Sequence, residues 1–154
     1  MIRYVLAVML TIALFAISIP AIDKGATMNS ERQVDASLAE IDDKATSLIE
    51  NEETTPDGHP DPQRVVEVTL PRSTLTSEGV DHFELVPYEN GSYTHARYVL
   101  EDGTTREAVI SEQIVWDDPD GNEPTELGGT GDQRLAIVLV EDENGEPTIV
   151  ARDV

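Results

Sequence analysis

The sequence predicts an α+β protein: an N-terminal transmembrane helix, an amphipathic helix, and then a mostly antiparallel β-sheet domain. Three observations predict it. Residues 4–22 carry no charge. Apolar side chains then recur at intervals of four and three through residues 34–48, the helical period. From Arg64 onward the apolar period switches to two, the strand period.

The apolar run, MIRYVLAVMLTIALFAISIPAI, is interrupted only by Thr11, Ser18 and Pro20 between residues 4 and 22. As a helix it is roughly 28 Å long, close to the ~30 Å hydrocarbon core of a bilayer. Arg3 and the free amine precede it, and Asp23 and Lys24 follow. The positive-inside rule then sets a single pass through the cytoplasmic membrane, with the N-terminus inside and residues 23–154 exterior. The competing reading is a cleaved signal peptide ending near Ala16-Ile17-Ser18, but the run is longer than the ~7–15 residues of such a core. Both readings put the remainder outside. There is no cysteine, hence no disulfide framework.

The chain has 154 residues and a formal charge of −21, from 31 acidic against 10 basic side chains. About 130 residues beyond the anchor suffice for one domain. Only Lys24 and Lys44 are lysines. Such an acid excess over strongly apolar strand-like runs suits a halophilic protein, since at 1 M salt the Debye length is about 3 Å and like charges hardly repel. The same charge excludes a nucleic-acid partner, because no basic patch exists to neutralise phosphates.

In chain order, the expected divisions are a membrane anchor at 1–22, an amphipathic helix at 23–50, a linker at 51–63 and an exterior β domain at 64–154. Residues 23–27, with Gly25, read as a short break. Ser30-Glu31-Arg32-Gln33 matches a capping box, where a helix starts or restarts. Val34, Leu38, Ile41, Ala45 and Leu48 form one narrow stripe on it. That stripe either packs on the protein's own sheet or offers a seam to a partner helix, with its half nearest the membrane, around Val34, the freer for partners. The linker holds three prolines and no aliphatic residue.

Strands are expected at 64–70, 81–88, 93–101 and 104–110, with 114–116 extending the sheet. Asp102-Gly103 and Asn144-Gly145 are hairpin signals. Residues 135–140, LAIVLV, are apolar on both faces and read as a buried central strand, with 148–151 pairing back. Between them, residues 117–133 hold one aliphatic side chain and read as a long loop.

Few motifs carry chemistry. Asp117, Asp118, Asp120, Asn122 and Glu123 offer hard oxygens, but Trp116 and Leu127 stand where a calcium loop needs its first and last acids, so a solvated loop is expected. His59, His82 and His95 share no metal-ligand spacing and read as surface residues. Gly128–Gly131 is followed by a strand, not by lysine and a helix, so it is no phosphate loop. No nucleophile elbow or His-Glu-x-x-His occurs. No catalytic residue, cofactor, metal ligand or small-molecule substrate is inferred. Asn90-Gly91-Ser92 is an N-glycosylation acceptor if exterior, and otherwise a simple turn.

The segments MIRYVLAVMLTIALFAISIPAID, SERQVDASLAEIDDKATSL and RVVEVTLPRSTLTSEGVD together resemble a haloarchaeal family of short, uncharacterised membrane-anchored proteins. The resemblance implies products of type IV pilus or Tad-like secretion loci, with a pilin-like plan. The apolar run lacks the pilin glutamate, with Val5 near its place, and no basic-small peptidase site precedes it. An accessory, permanently anchored component therefore fits better than a filament subunit. The expected function is non-enzymatic: a structural or assembly role beside other membrane or secretion-system proteins. The alternative is a cell-surface binding module that captures a solute or metal ion through residues 117–133.

Overall fold

The computed structural model describes residues 2–56, 59–88 and 91–154. One helix, α1 (Ile2–Asn51), precedes eight strands: β1 (Gln63–Leu70), β2 (Val80–Pro87), β3 (Thr94–Leu100), β4 (Thr105–Ile110), β5 (Ile114–Trp116), β6 (Thr125–Leu127), β7 (Gly131–Glu141) and β8 (Pro147–Asp153). The strands form two four-stranded sheets, ordered β1-β7-β8-β5 and β4-β3-β2-β6. All pairings are antiparallel except β5 with β8. This is the expected α+β layout.

The two hairpins turn where their dipeptides dictate. Gly103 and Gly145 take φ of 83° and 78°, the left-handed region that a side chain disfavours. β7 is the buried central strand: Leu135, Ala136, Ile137, Val138 and Leu139 are all buried between β1 and β8. Pro71 follows the last residue of β1, where its missing N–H costs no ladder bond.

α1 runs without interruption through residues 23–27, so the expected break and restart are corrected. Gly25 costs roughly 1 kcal/mol in a helix interior. Propagating an existing helix adds a bond per residue fixed, however, and docking of the chain from Ala26 onward offsets that cost. Ser30 is consequently no cap. It is buried in mid-helix and its hydroxyl clips the backbone of Glu78, donating to the carbonyl at 2.7 Å and accepting the N–H at 2.8 Å.

The C-terminal half of α1 lies along β1, β4 and β7. β1 and β4 are outer strands of their two sheets. Ser37 Oγ accepts the Thr69 N–H at 3.1 Å and Lys44 donates to the Val65 carbonyl at 3.1 Å, both on the open edge of β1. On the other side, Asp42 accepts the Ser111 N–H at 2.7 Å, and Arg106 of β4 pairs with Glu31 at 2.7 Å. The helix thus covers an edge that would otherwise invite strand pairing. At the far margin β5 and β6 meet, with the Trp116 N–H donating to Glu123 at 3.2 Å.

One core joins α1 to all eight strands. Val34, Leu38, Ile41, Ala45 and Leu48 are at most 4% exposed within it. The stripe faces the protein's own sheets, and its N-terminal end at Val34, expected to be the freer for partners, is as fully buried as the rest. It is therefore not available as a partner-helix face. The core also crosses the expected boundary between amphipathic helix and β domain. Tyr98, among the largest fully buried side chains, reaches from β3 to donate its hydroxyl to Asp35 of α1 at 3.1 Å. Burial first, and then the Asp35 carboxylate, push that phenol well above its ordinary pKa.

Candidate functional site

The first half of α1 is the largest exposed feature. No residue from Ile2 to Lys24 is buried, and Tyr4, Leu10, Phe15 and Ile17 are all more than 60% exposed. The helix is long and apolar enough to cross a membrane. Its two aliphatic hydroxyls are satisfied internally: Thr11 donates to the Ala7 carbonyl at 2.9 Å and Ser18 to the Leu14 carbonyl at 2.7 Å. Apolar surface of this extent is the kind that contact with lipid or protein covers.

Where α1 first meets the β domain, a polar collar grips it. Thr27 donates to Asp102 at 2.9 Å, and Asn29 donates to the Thr76 carbonyl at 2.9 Å and to Ser77 at 3.1 Å. Asp102 also accepts the Thr104 N–H at 2.7 Å, and these bonds hold its carboxyl below the usual range. Glu78, crowded by Asp102, Glu101 and Asp23, is shifted upward, with desolvation the larger cause. The collar fixes the domain to the helix a few residues beyond the apolar run, roughly one helical turn past Ile22.

The outer face of the second sheet gathers charged, histidine and aromatic side chains. Phe83 and Leu85 point inward, so His82, Glu84 and Val86 point out. Register aligns Glu84 with Arg97 on β3 and with Glu126 on β6. Arg97 Nε donates to Glu84 Oε1 at 2.6 Å, and Nη2 contacts the same oxygen. His82 Nε2 lies 3.2 Å from Glu84 Oε2. One ligand atom from each of His82, Glu84 and Glu126 lies within 4.8 Å of the others, the one group among the described residues able to hold a metal ion. Further along, Tyr88 and Tyr93 stack at 4.8 Å, with His95 edge-on to both.

The expected loop at 117–133 is partly a strand. β6 pairs with β2, and the acids expected as possible ligands diverge. Asp117, at φ 56°, pairs with Arg152 at 3.2 Å, Asp118 accepts the Asp120 N–H, and Asp120 accepts the Glu143 N–H at 2.7 Å. Of these three, only Asp120 lines the open cleft of about 720 Å³ that Glu112, Asp142 and Glu146 also line. Asp142 is held low by the backbone N–H groups of the turn that it caps.

His59 is exposed in the linker. Asn90 lies outside the described residues. Sequence spacing missed the gathering of His82, Glu84 and Glu126, because Glu126 arrives only through the β2–β6 pairing.

A family model described as a domain of unknown function, DUF7311, matches residues 1–154. No curated protein matches the chain. No solved structure matches it.

Proposed function

The chain belongs to the DUF7311 family, and we propose that it is a non-enzymatic, membrane-anchored exterior protein with a structural or assembly role in a pilus-like or secretion system. The observation that carries this reading is the unbroken passage of α1 from a bare apolar half into a half built into the β domain's core. A helix shared in this way couples the exterior domain rigidly to whatever surrounds the apolar half. That is the mechanical requirement of a stalk or assembly subunit, and it parallels the pilin-like plan noted in the sequence. Because the Val34–Leu48 stripe is occupied, partners meet the apolar half of α1 within the membrane or the outer sheet faces beyond it.

The orientation proposed is N-terminus inside and β domain outside, in the cytoplasmic membrane of a haloarchaeon, resting on Arg3 and on the acidic surface. Asn90 then stands where glycosylation occurs, and we assign it as a glycan acceptor. Cross-linking in native membranes followed by mass spectrometry tests both. The expected result is co-recovery of other membrane or secretion-system proteins and a glycan on the Asn90 peptide. Recovery of the chain alone, across crosslinkers of several reaches, would overturn the assembly role. An unmodified Asn90 peptide would remove the glycan assignment.

A further inference from the structure

We propose that His82, Glu84 and Glu126 form a binding site for one divalent transition-metal ion of the zinc class, which clasps β6 onto β2. This does not rest on the assembly role proposed above.

The backbone brings these side chains together deliberately. A β-bulge between Val80 and His82 shifts the register of β2. It lets Val80 point into the core and still places His82 on the outer face, two residues before Glu84. Bulges commonly re-aim side chains beside binding sites. Glu84 and Glu126 sit directly opposite each other across an antiparallel pair. Two like charges in that relation destabilise a sheet unless something between them compensates. Glu84 is moreover only 8% exposed, on a face where a carboxylate would otherwise stay in water.

The geometry suits a bound ion. His82 Nε2 and Glu84 Oε2, 3.2 Å apart, are spaced like two ligands each about 2.0–2.2 Å from one zinc-class ion. Glu126 Oε completes three protein ligands and leaves further positions to water. Arg97 occupies the other oxygen of Glu84, Oε1, and so orients Oε2 toward the site, as hydrogen-bond partners of ligating carboxylates do. Its charge offsets one carboxylate, so the site is less anionic than the acidic cleft and less attractive to simple counter-ions. One imidazole nitrogen with two carboxylates favours zinc, cobalt or nickel over calcium or magnesium, which prefer all-oxygen shells.

The consequence is mechanical. β6 is three residues long and joined to the second sheet only by its pairing with β2. A metal ligated by both strands would pin the 117–130 excursion to that sheet.

The test uses the full chain in detergent micelles, in molar NaCl with excess Mg²⁺ to suppress diffuse binding to the acidic surface. Co²⁺ is titrated and its visible d–d absorption recorded, with Zn²⁺ as competitor. The expected result is saturation at a single ion, displaced by Zn²⁺, with affinity falling at least about tenfold in both His82→Gln and Glu126→Gln and unchanged in Asp120→Asn. These ligands are chosen because they are more accessible than Glu84, whose loss would strand Arg97. Absent d–d bands, or equal affinity in wild type and His82→Gln, would overturn the site. Hydrogen exchange at residues 125–127 tests the clasp: Zn²⁺ should slow it in wild type and not in Glu126→Gln, and unchanged wild-type exchange would overturn the clasp.

Discussion

The two halves of α1 are one helix made by two different rules. From Ile2 to Ile22 nearly every position is apolar, and no face is distinguished. From Ala26 to Asn51 apolar residues keep to a stripe, and the other faces carry Glu31, Asp35, Asp42 and Lys44, each with a named partner on a strand, in the turn after β4 or on the helix itself. Uniform apolarity fits a surrounding solvent, whereas a stripe fits one neighbour. α1 therefore passes from a bare apolar stretch to a docked one without changing secondary structure, and the β domain inherits the direction of the apolar half.

The largest expected effect separates the halves by packing. Ile41 is fully buried between helix and sheets, so Ile41→Ala should cost about 2–5 kcal/mol through lost burial and a residual cavity. Leu10→Ala, on the bare half, should leave the stability of the β domain unchanged. Denaturant titration in micelles, followed by fluorescence of Trp116, which packs against the core, measures both. Equal losses in the two variants would erase the distinction.

The hydroxyls give a second contrast. Thr11 of the bare half has the Ala7 carbonyl, while Thr125 of β6 is fully buried with no partner for its hydroxyl among the described residues. Removing an unsatisfied buried group by an isosteric methyl should stabilise, so Thr125→Val should raise stability by about 1 kcal/mol. Thr11→Val should not. A loss of stability in Thr125→Val would mean that the hydroxyl has a partner after all.

Gly25 stands inside the helix at the join of its halves, with open space where a Cβ would stand. If the helix is continuous there, Gly25→Ala should stabilise it by roughly 0.5–1 kcal/mol. If residues 23–27 were a break, the substitution would bring no gain. Circular dichroism melts of the two proteins decide between them.

What was legible in the sequence follows from range. The apolar run, the stripe and both hairpins are encoded locally, by composition, by helical period and by Asp102-Gly103 and Asn144-Gly145. The continuity of α1 was not legible, because Gly25 weakens a helix locally and only docking at Ala26 and Ser30 overrides it. β6 was hidden because Thr125-Glu126-Leu127 is too short to show alternation, and its strand character comes from β2. The neighbouring His82, Glu84 and Glu126 were hidden with it. The stripe was legible as a stripe, but its partner was not: periodicity shows that a face is buried without showing against what.

The smallest effect concerns charge, which the bare half carries only at Arg3 and the docked half carries in excess. Glu112, in the turn after β4, is shifted upward, first by burial and then by Asp42 and Glu50 of α1. Its folded pKa lies above its unfolded value, so the fold favours the protonated form. The stability this group contributes is present below the ordinary carboxylate pKa and is lost as pH rises through the folded value. At neutral pH its ionised form repels the docked helix. Glu112→Gln should therefore melt slightly higher at neutral pH, by less than about 1 kcal/mol for a partly exposed charge cluster. The gain should shrink as pH falls and vanish once Glu112 is protonated in both states. Asp102 of the collar, held low by Thr104 and Thr27, runs the other way. Its contribution is present above the ordinary Asp pKa and is lost as pH falls through the folded value, so Asp102→Asn should lower the melting temperature at neutral pH. Melting curves of the two variants across the acidic range should thus bend in opposite directions relative to wild type. Parallel curves would show that neither charge is coupled to the docked half of α1.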